Sequence, residues 1–420
     1  MLDLVIEGLG AGGDGVAGKG PERVFVPQAL PGERVRAVIE SASAEGRRAR
    51  LIEVLEASPQ RQEPKCSHFG ACGGCALQHL ADDSYVGFKL ARLMGALGQR
   101  GFKDVPLAAP RRVPRASRRR VRLAATRGAG TVTIGFRAAR GHAVIDIERC
   151  PIVVPAIEQI IAPLRGALPS VLEPRTEIEI AITATATGLD VVFIGITAPS
   201  AESRVALAAL ARSIGLARLS IAAEDHAAPE IIAVNSSPTV RLGGIDVALP
   251  PDAFIQPTAE GEAAIVEEVL SASKRVKRAA DLFSGLGTIA LPLAGRGIAV
   301  EAYDSSTPAI AALDDVARHA EQGGRLKATR QDLMRAPLPP TQLKAFDLVV
   351  FDPPRLGAEA QATQLARSRV PAVVAVSCNP ATFARDARIL VDGGYRLERV
   401  TPLDQFLWTP HLELIASFRR

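Results

Sequence analysis

The 420-residue chain is 47% hydrophobic and 23% charged with a formal net charge of +5, the composition of a globular protein long enough for two or three domains. Asp3 and Glu7 interrupt any apolar leader, and the one long apolar stretch, 181–197, is broken by Asp190, so neither a signal peptide nor a membrane span is predicted. The reading is a cytoplasmic protein whose mildly basic balance permits an anionic partner.

Residues 1–57 are predicted to form a small β-barrel. Segments 2–6, 23–26, 34–39 and 49–55 have strand composition, 8–20 holds seven glycines and reads as a loop, and Pro31-Gly32 marks a turn. Gly15-Val16-Ala17, followed by the run from Val24 to Val35, resembles a TRAM domain, an OB-like barrel that binds RNA. The blander alternative is a barrel that serves only for packing.

A second region, 58–250, reads as α+β. It opens on Cys66, Cys72 and Cys75, spaced C-x5-C-x2-C, with Cys150-Pro151 far downstream. Five cysteines, an odd number, argue against a disulfide framework. Four thiolates can instead hold a tetrahedral zinc or an iron–sulfur cluster, and glycines between ligands let the backbone wrap close. His68 and His79 could substitute in a zinc site, although loop histidines are commonly solvated.

An amphipathic helix is predicted over 82–100. Seven arginines then fall between positions 111 and 122, running into an alternating strand at 121–125. A charge run is usually a solvated face. Here it leads into ordered structure, so Arg118, Arg119, Arg120 and Arg122 are expected to hold RNA phosphates through their guanidinium forks. Further strands are predicted at 132–136, 143–147, 177–183, 190–196 and 231–234, with helices at 155–168 and 201–213.

Residues 251–420 turn to regular β/α alternation, the pattern of a Rossmann-like sheet. Asp281-Leu282-Phe283-Ser284-Gly285-Leu286-Gly287 reads as strand, glycine-rich turn and helix start, a place where backbone approaches a ligand. This D-x-F-x-G-x-G form suits S-adenosylmethionine, with Asp304 after the second strand placed for ribose hydroxyls and Asp332 after the third for the adenine edge. Either could be an ordinary helix cap. The fourth strand, 346–351, ends in Asp352-Pro353-Pro354-Arg355. The fifth, Val373-Val374-Ala375-Val376, delivers Ser377-Cys378-Asn379-Pro380 at its carboxyl end, with a helix over 381–390. A lone cysteine is often a buried structural thiol. At the carboxyl end of a parallel strand, beside a second reactive-looking strand end, Cys378 is a candidate nucleophile.

Together these motifs resemble the RNA uracil-5-methyltransferase family, in its cluster-containing 23S ribosomal RNA branch, over nearly the whole chain. The resemblance implies that Cys378 attacks uracil, that Glu413 of the terminal His-x-Glu motif accepts a proton, and that Asp352 lies beside the target base. It also implies S-adenosylmethionine binding by Gln256, Phe283, Gly285, Asp304, Asp332 and Asp352, and a [4Fe–4S] cluster on Cys66, Cys72, Cys75 and Cys150. Departures occur at Thr288-Ile289 and at the spacing after Asp304, which leaves Glu301 as an alternative ribose ligand. Residues 169–238 match poorly. Two segments, 403–408 and 414–418, are expected to be the last strands, with Glu413 between them. Transfer RNA is the alternative substrate, and a non-catalytic iron–sulfur RNA-binding protein the alternative class. The protein is expected to be a monomer.

Overall fold

The computed structural model describes residues 1–128, 130–319 and 323–420. The chain is mixed α/β and divides into two compact units: 1–95 with 135–151 and 406–411, and 96–134 with 152–405 and 412–420. Among the described residues no helix is long and apolar enough to cross a membrane.

The first unit contains a six-stranded half-barrel built on the hairpin Arg34–Ser43 and Gly46–Glu56. Alternating small apolar residues, Val24, Val26, Val35, Ala37 and Ala49, fill its interior with Ile6, Ala17 and Ala29, as a two-residue side-chain period requires. The glycine-rich stretch expected to be a loop contains two short antiparallel strands, Gly8–Leu9 and Gly15–Ala17. Glycine permits them because a Cβ at Gly15 would stand 2.7 Å from the Ala29 carbonyl oxygen. The Glu33 carboxylate is fully buried and fully partnered: Arg61 forks onto it at 2.5 and 2.8 Å, and the Leu30 N–H donates at 2.8 Å. Residues 406–411 are held here by backbone. Ala76 and Leu77 N–H groups donate to the Trp408 carbonyl, and the Trp408 N–H donates to Tyr85 Oη at 2.9 Å.

The second unit holds two sheets. In the antiparallel part of one, Arg120–Arg127 pairs with Glu177–Thr185, which pairs with Gly188–Ile194. Arg218–Ala222, absent from the sequence reading, joins in parallel beside it. The other sheet runs Leu326–Arg330, Ala299–Asp304, Arg278–Leu282, Leu348–Phe351, Ala372–Ser377, Glu413–Arg419, Arg396–Asp404 and Arg111–Arg112. Its first five strands are mutually parallel, and the inner two, Leu348–Phe351 and Ala372–Ser377, are wholly buried, which explains their nearly continuous apolar sequences. Glu413–Arg419 enters antiparallel between two strands that precede it in the chain. The strand order reverses between Arg278–Leu282 and Leu348–Phe351, and ligands of open α/β sheets bind at such a reversal.

One expected strand is misplaced. Residues 403–408 have strand composition, but the strand is Arg396–Asp404, and 405–411 form the connection to Glu413. Arg396–Asp404 begins with polar residues, so its composition gives no strand signal until Val400.

Candidate active site

Three strand ends and one loop bring the site together in the second unit. Ser377 pairs with Leu414 across the sheet, setting the end of the Cys378 strand beside Glu413. Phe351 pairs with both Leu282 and Ala375, so Asp352 leaves the sheet between the glycine turn and Cys378. Cys378 precedes a well-made helix start. Asn379 is the N-cap of Pro380–Asp392 and accepts from the Ala381 N–H at 3.1 Å, with Pro380 at the first helical position. The Asn379 amide also donates to the Arg355 carbonyl at 3.1 Å. The turn carrying the thiol is thereby tied to the Asp-Pro-Pro-Arg turn.

A chain of amides links the carboxylates. Gln256 Nε2 donates to Asp352 Oδ2 at 2.8 Å, and Gln405 Nε2 donates to Gln256 Oε1 at 3.1 Å and to Glu413 Oε2 at 2.9 Å. Glu413 is 3% exposed, and its other oxygen, Oε1, has no hydrogen-bond partner. Burial, followed by the nearby Asp352 charge, pushes its pKa up to about 8, against opposing contributions from Gln405 and Arg355. Asp352, which keeps some exposed surface, is also raised by burial, with Gln256 opposing. These two acids titrate together rather than singly. Burial pushes the Cys378 thiol up to about 11, with Glu413 and Asp352 adding to the rise and Arg355 opposing it.

The glycine turn has the shape of a ligand cradle. Phe283, Gly285 and Gly287 all have positive φ, at 63°, 52° and 90°. A phenylalanine there costs about 1–3 kcal/mol and persists only where its surroundings impose it. A Cβ at Gly285 would meet nothing within 4 Å, so that backbone faces open space, whereas one at Gly287 would strike Leu313 at 2.6 Å. Asp304 Oδ2 accepts from the Gly285 N–H at 2.9 Å. Glu301 instead binds Arg278 at 3.2 Å and Tyr303 Oη at 2.8 Å, which leaves Asp304 as the carboxylate beside the turn. Asp332 Oδ1 accepts from the Met334 N–H at 3.1 Å, the geometry of a local turn. Beneath the turn, Asp281 is 1% exposed, and burial raises it well above the carboxylate range, with the Ala290 backbone N–H opposing the rise.

The arginines expected to meet phosphates make ion pairs within the second unit. Arg119 pairs with Glu262 at 2.6 Å and donates to the Gln256 carbonyl at 3.1 Å. Arg122 reaches Asp225 and Asp252, each at 2.8 Å, and Arg120 reaches Asp252 at 3.3 Å. Arg118 Nε donates to the Arg120 carbonyl at 3.0 Å. The physical reason is proximity in space: Asp225, Asp252 and Glu262, distant in sequence, fold onto the run, and Glu179 lies 3.4 Å from Arg122. Arg119 in particular buttresses the segment that carries Gln256.

In the first unit, Cys66, Cys72, Cys75 and Cys150 are half-buried and joined by no disulfide. Burial raises Cys72 and pushes Cys75 up to about 12, and in both the negative charge of Cys150 and Cys66 adds to the rise. The four thiols thus lie close enough to repel one another as anions, which is the arrangement a shared cation relieves. The Gly74 N–H donates to Cys72 Sγ at 3.4 Å. No group of three His, Cys, Asp or Glu side chains among the described residues is drawn together tightly enough for a single metal ion. His79 is not solvated, as a loop histidine would be. It is fully buried with neither ring nitrogen hydrogen-bonded, and burial lowers its pKa to about 4.

Sequence reasoning missed Gln405 and Asp281. Gln405 carried a usable signal, a single buried amide between Asp404 and the apolar residues Phe406-Leu407-Trp408.

The profile of the tRNA (Uracil-5-)-methyltransferase family matches residues 244–418. An uncharacterized RNA methyltransferase of Brucella suis biovar 1 is 44% identical over 98% of this chain and 96% of its own length. The 23S rRNA (uracil(1939)-C(5))-methyltransferase RlmD of Chromohalobacter salexigens is 36% identical over 99% of this chain and 89% of its own. Among solved structures, the Pyrococcus abyssi tRNA (uracil-54, C5)-methyltransferase, in complex with S-adenosyl-L-homocysteine, superimposes with a TM-score of 0.77 at 25% identity, over 99% of this chain and all of that one. With full-length relatives at this identity and a Rossmann-like sheet carrying the matched region, the chain belongs to the RNA (uracil-5-)-methyltransferase family.

Proposed function

We propose that the protein transfers a methyl group from S-adenosylmethionine to C5 of a uridine in RNA, through a covalent bond between Cys378 and uracil C6. The observation that carries this is the meeting of Cys378, Asp352, Glu413 and Gln256 at adjacent strand ends, with a glycine cradle alongside. The donor, when bound, supplies an electrophilic sulfonium methyl. Gln256, Phe283, Gly285, Asp304 and Asp352 would hold it, with Asp332 at the adenine end.

Uracil C5 is too weak a nucleophile to take a methyl group unaided. The Cys378 thiolate, favoured by Arg355, adds to C6 and makes C5 enolate-like; after methylation Glu413 removes the C5 proton, and the C6–S bond breaks to restore the ring. A base must leave its stack to reach this site. Phe254, 60% exposed with the Arg120 guanidinium 5.5 Å from its ring centre, offers a stacking face two residues from Gln256.

Ribosomal RNA is the favoured substrate: the rRNA-modifying relative is 36% identical, against 25% for the tRNA-modifying structure. Cys66, Cys72, Cys75 and Cys150 would hold a [4Fe–4S] cluster with a structural or RNA-contacting role, since methyl transfer requires no electron. The half-barrel would act as a TRAM-like RNA-binding domain ahead of a central region (58–250) and the methyltransferase domain (251–420), in a cytoplasmic monomer.

The test is trapping. Glu413→Gln should methylate once and remain bonded to RNA through denaturing electrophoresis, because C5 is methylated before its proton leaves. Cys378→Ala should give neither product nor adduct, and the double variant should behave like Cys378→Ala. Methylation by Cys378→Ala would overturn the mechanism. Mapping 5-methyluridine in a deletion strain decides between ribosomal and transfer RNA.

A further inference from the structure

We propose that Gln405 is a positioning residue that fixes the Glu413 carboxylate by one oxygen, leaving Oε1 as the atom that takes the C5 proton. This rests on the reading of Glu413 as the base.

The argument begins with valence. The Gln405 amide nitrogen has two hydrogens, and both are used: one on Gln256 Oε1 at 3.1 Å, one on Glu413 Oε2 at 2.9 Å. Gln256 in turn spends its own amide hydrogen on Asp352 at 2.8 Å. In the ionised state that the base must reach to take a proton, with Asp352 and Glu413 both carboxylates, the direction of every hydrogen bond in the chain is determined. Turning the Gln405 amide over would set its oxygen against the Glu413 carboxylate, an arrangement tolerable only when Glu413 is protonated. The Gln405 oxygen is instead buried without a partner, at a place where a Cβ on Gly261 would stand 2.3 Å from it. A polar atom is thus left unsatisfied so that the two donors can face Gln256 and Glu413, and such atoms are uncommon in folded proteins.

The consequence falls on the base. Glu413 is fixed at Oε2, and Oε1, equally buried, is the unpartnered oxygen of the pair. In the elimination the C5 proton moves to Oε1, the C5–H electron pair forms the C5–C6 double bond, and the C6–S pair returns to Cys378 as thiolate. The charged and titratable groups facing Glu413 are Asp352, Cys378 and Arg355. Among its neighbours Gln405 favours the ionised carboxylate by donating to it.

The test uses the full-length enzyme with Gln405→Met, close in volume but without donors, in single-turnover reactions on the RNA substrate. Methyl transfer should proceed near the wild-type rate, while resolution of the covalent adduct slows about tenfold or more, the loss of a hydrogen bond to a charged group. The rising pH limb of the resolution step should move to higher pH, because the base loses a donor that favours its ionised form. Gln405→Asn, whose shorter reach cannot span both acceptors, should fall between the two and serves if Met disturbs the fold. Resolution at the wild-type rate with an unmoved pH limb, in an enzyme whose Glu413→Gln variant traps adduct, overturns this inference and leaves the base assignment standing. Normal turnover by Glu413→Gln overturns both.

Discussion

Glu413 should make the folded protein less stable as pH rises, and Glu413→Gln should remove that dependence. Its carboxyl is 3% exposed, and its pKa lies at about 8 against an ordinary value of 4.5. For an acid raised in this way, the native state keeps a proton that the unfolded chain releases. Stability is therefore greatest below the unfolded value and falls as pH climbs toward the folded one. Neutral pH lies about 2.5 units above the unfolded value, so the loss there is about 3 kcal/mol. Urea unfolding followed by circular dichroism at about pH 5, 6, 7 and 8 measures this directly. The variant's advantage over wild type should widen by about 2–3 kcal/mol between pH 5 and 7. A gap that stays constant with pH would refute the claim that Glu413 holds its proton in the folded state.

Asp304→Ala should weaken S-adenosylhomocysteine binding about tenfold or more by calorimetry, whereas Glu301→Gln, whose carboxylate faces Arg278 and Tyr303, should leave it nearly unchanged. Equal losses would put Glu301 back among the donor ligands. Anaerobically prepared protein should be brown and carry about four irons with acid-labile sulfide; one zinc and no sulfide would replace the cluster while keeping its four cysteines. Arg119→Ala, which strands the buried Glu262, should cost about 3 kcal/mol of stability without flattening the salt dependence of RNA affinity. A flatter slope at unchanged stability would return Arg119 to the RNA interface.

What was legible in the sequence follows from how far each signal reaches. Val373 to Val376 and Leu348 to Phe351 announce themselves because parallel strands are apolar on both faces, and the chemistry sits at their carboxyl ends. The arginine run does not disclose its partners within the fold, because Asp225, Asp252 and Glu262 lie 103 to 143 residues away in the chain. A solvated phosphate-binding face and a buttressing network have the same local composition. The strand Arg396–Asp404 was misplaced for a related reason. Its apolar half continues without a break into Leu407 and Trp408, and only tertiary contacts of the 406–411 segment say where pairing stops. Gln405 lay inside that misread stretch. Its role depends on two partners, at positions 256 and 413, that no window of sequence contains together.

The strand that begins at Glu413 is the last of the sheet to be synthesised, yet it occupies an interior position, between Ala372–Ser377 and Arg396–Asp404. Until it arrives, Arg396–Asp404 has no partner on the side that faces the sheet, and Cys378 has no Glu413 carboxyl beside it. A growing chain therefore has Cys378, its glycine turn and Asp352 well before it has Glu413. The same insertion that completes the hydrogen-bonded ladder also completes the group of acids around the thiol. Ending translation even a few residues before Glu413 leaves an open sheet edge, prone to pairing with other chains.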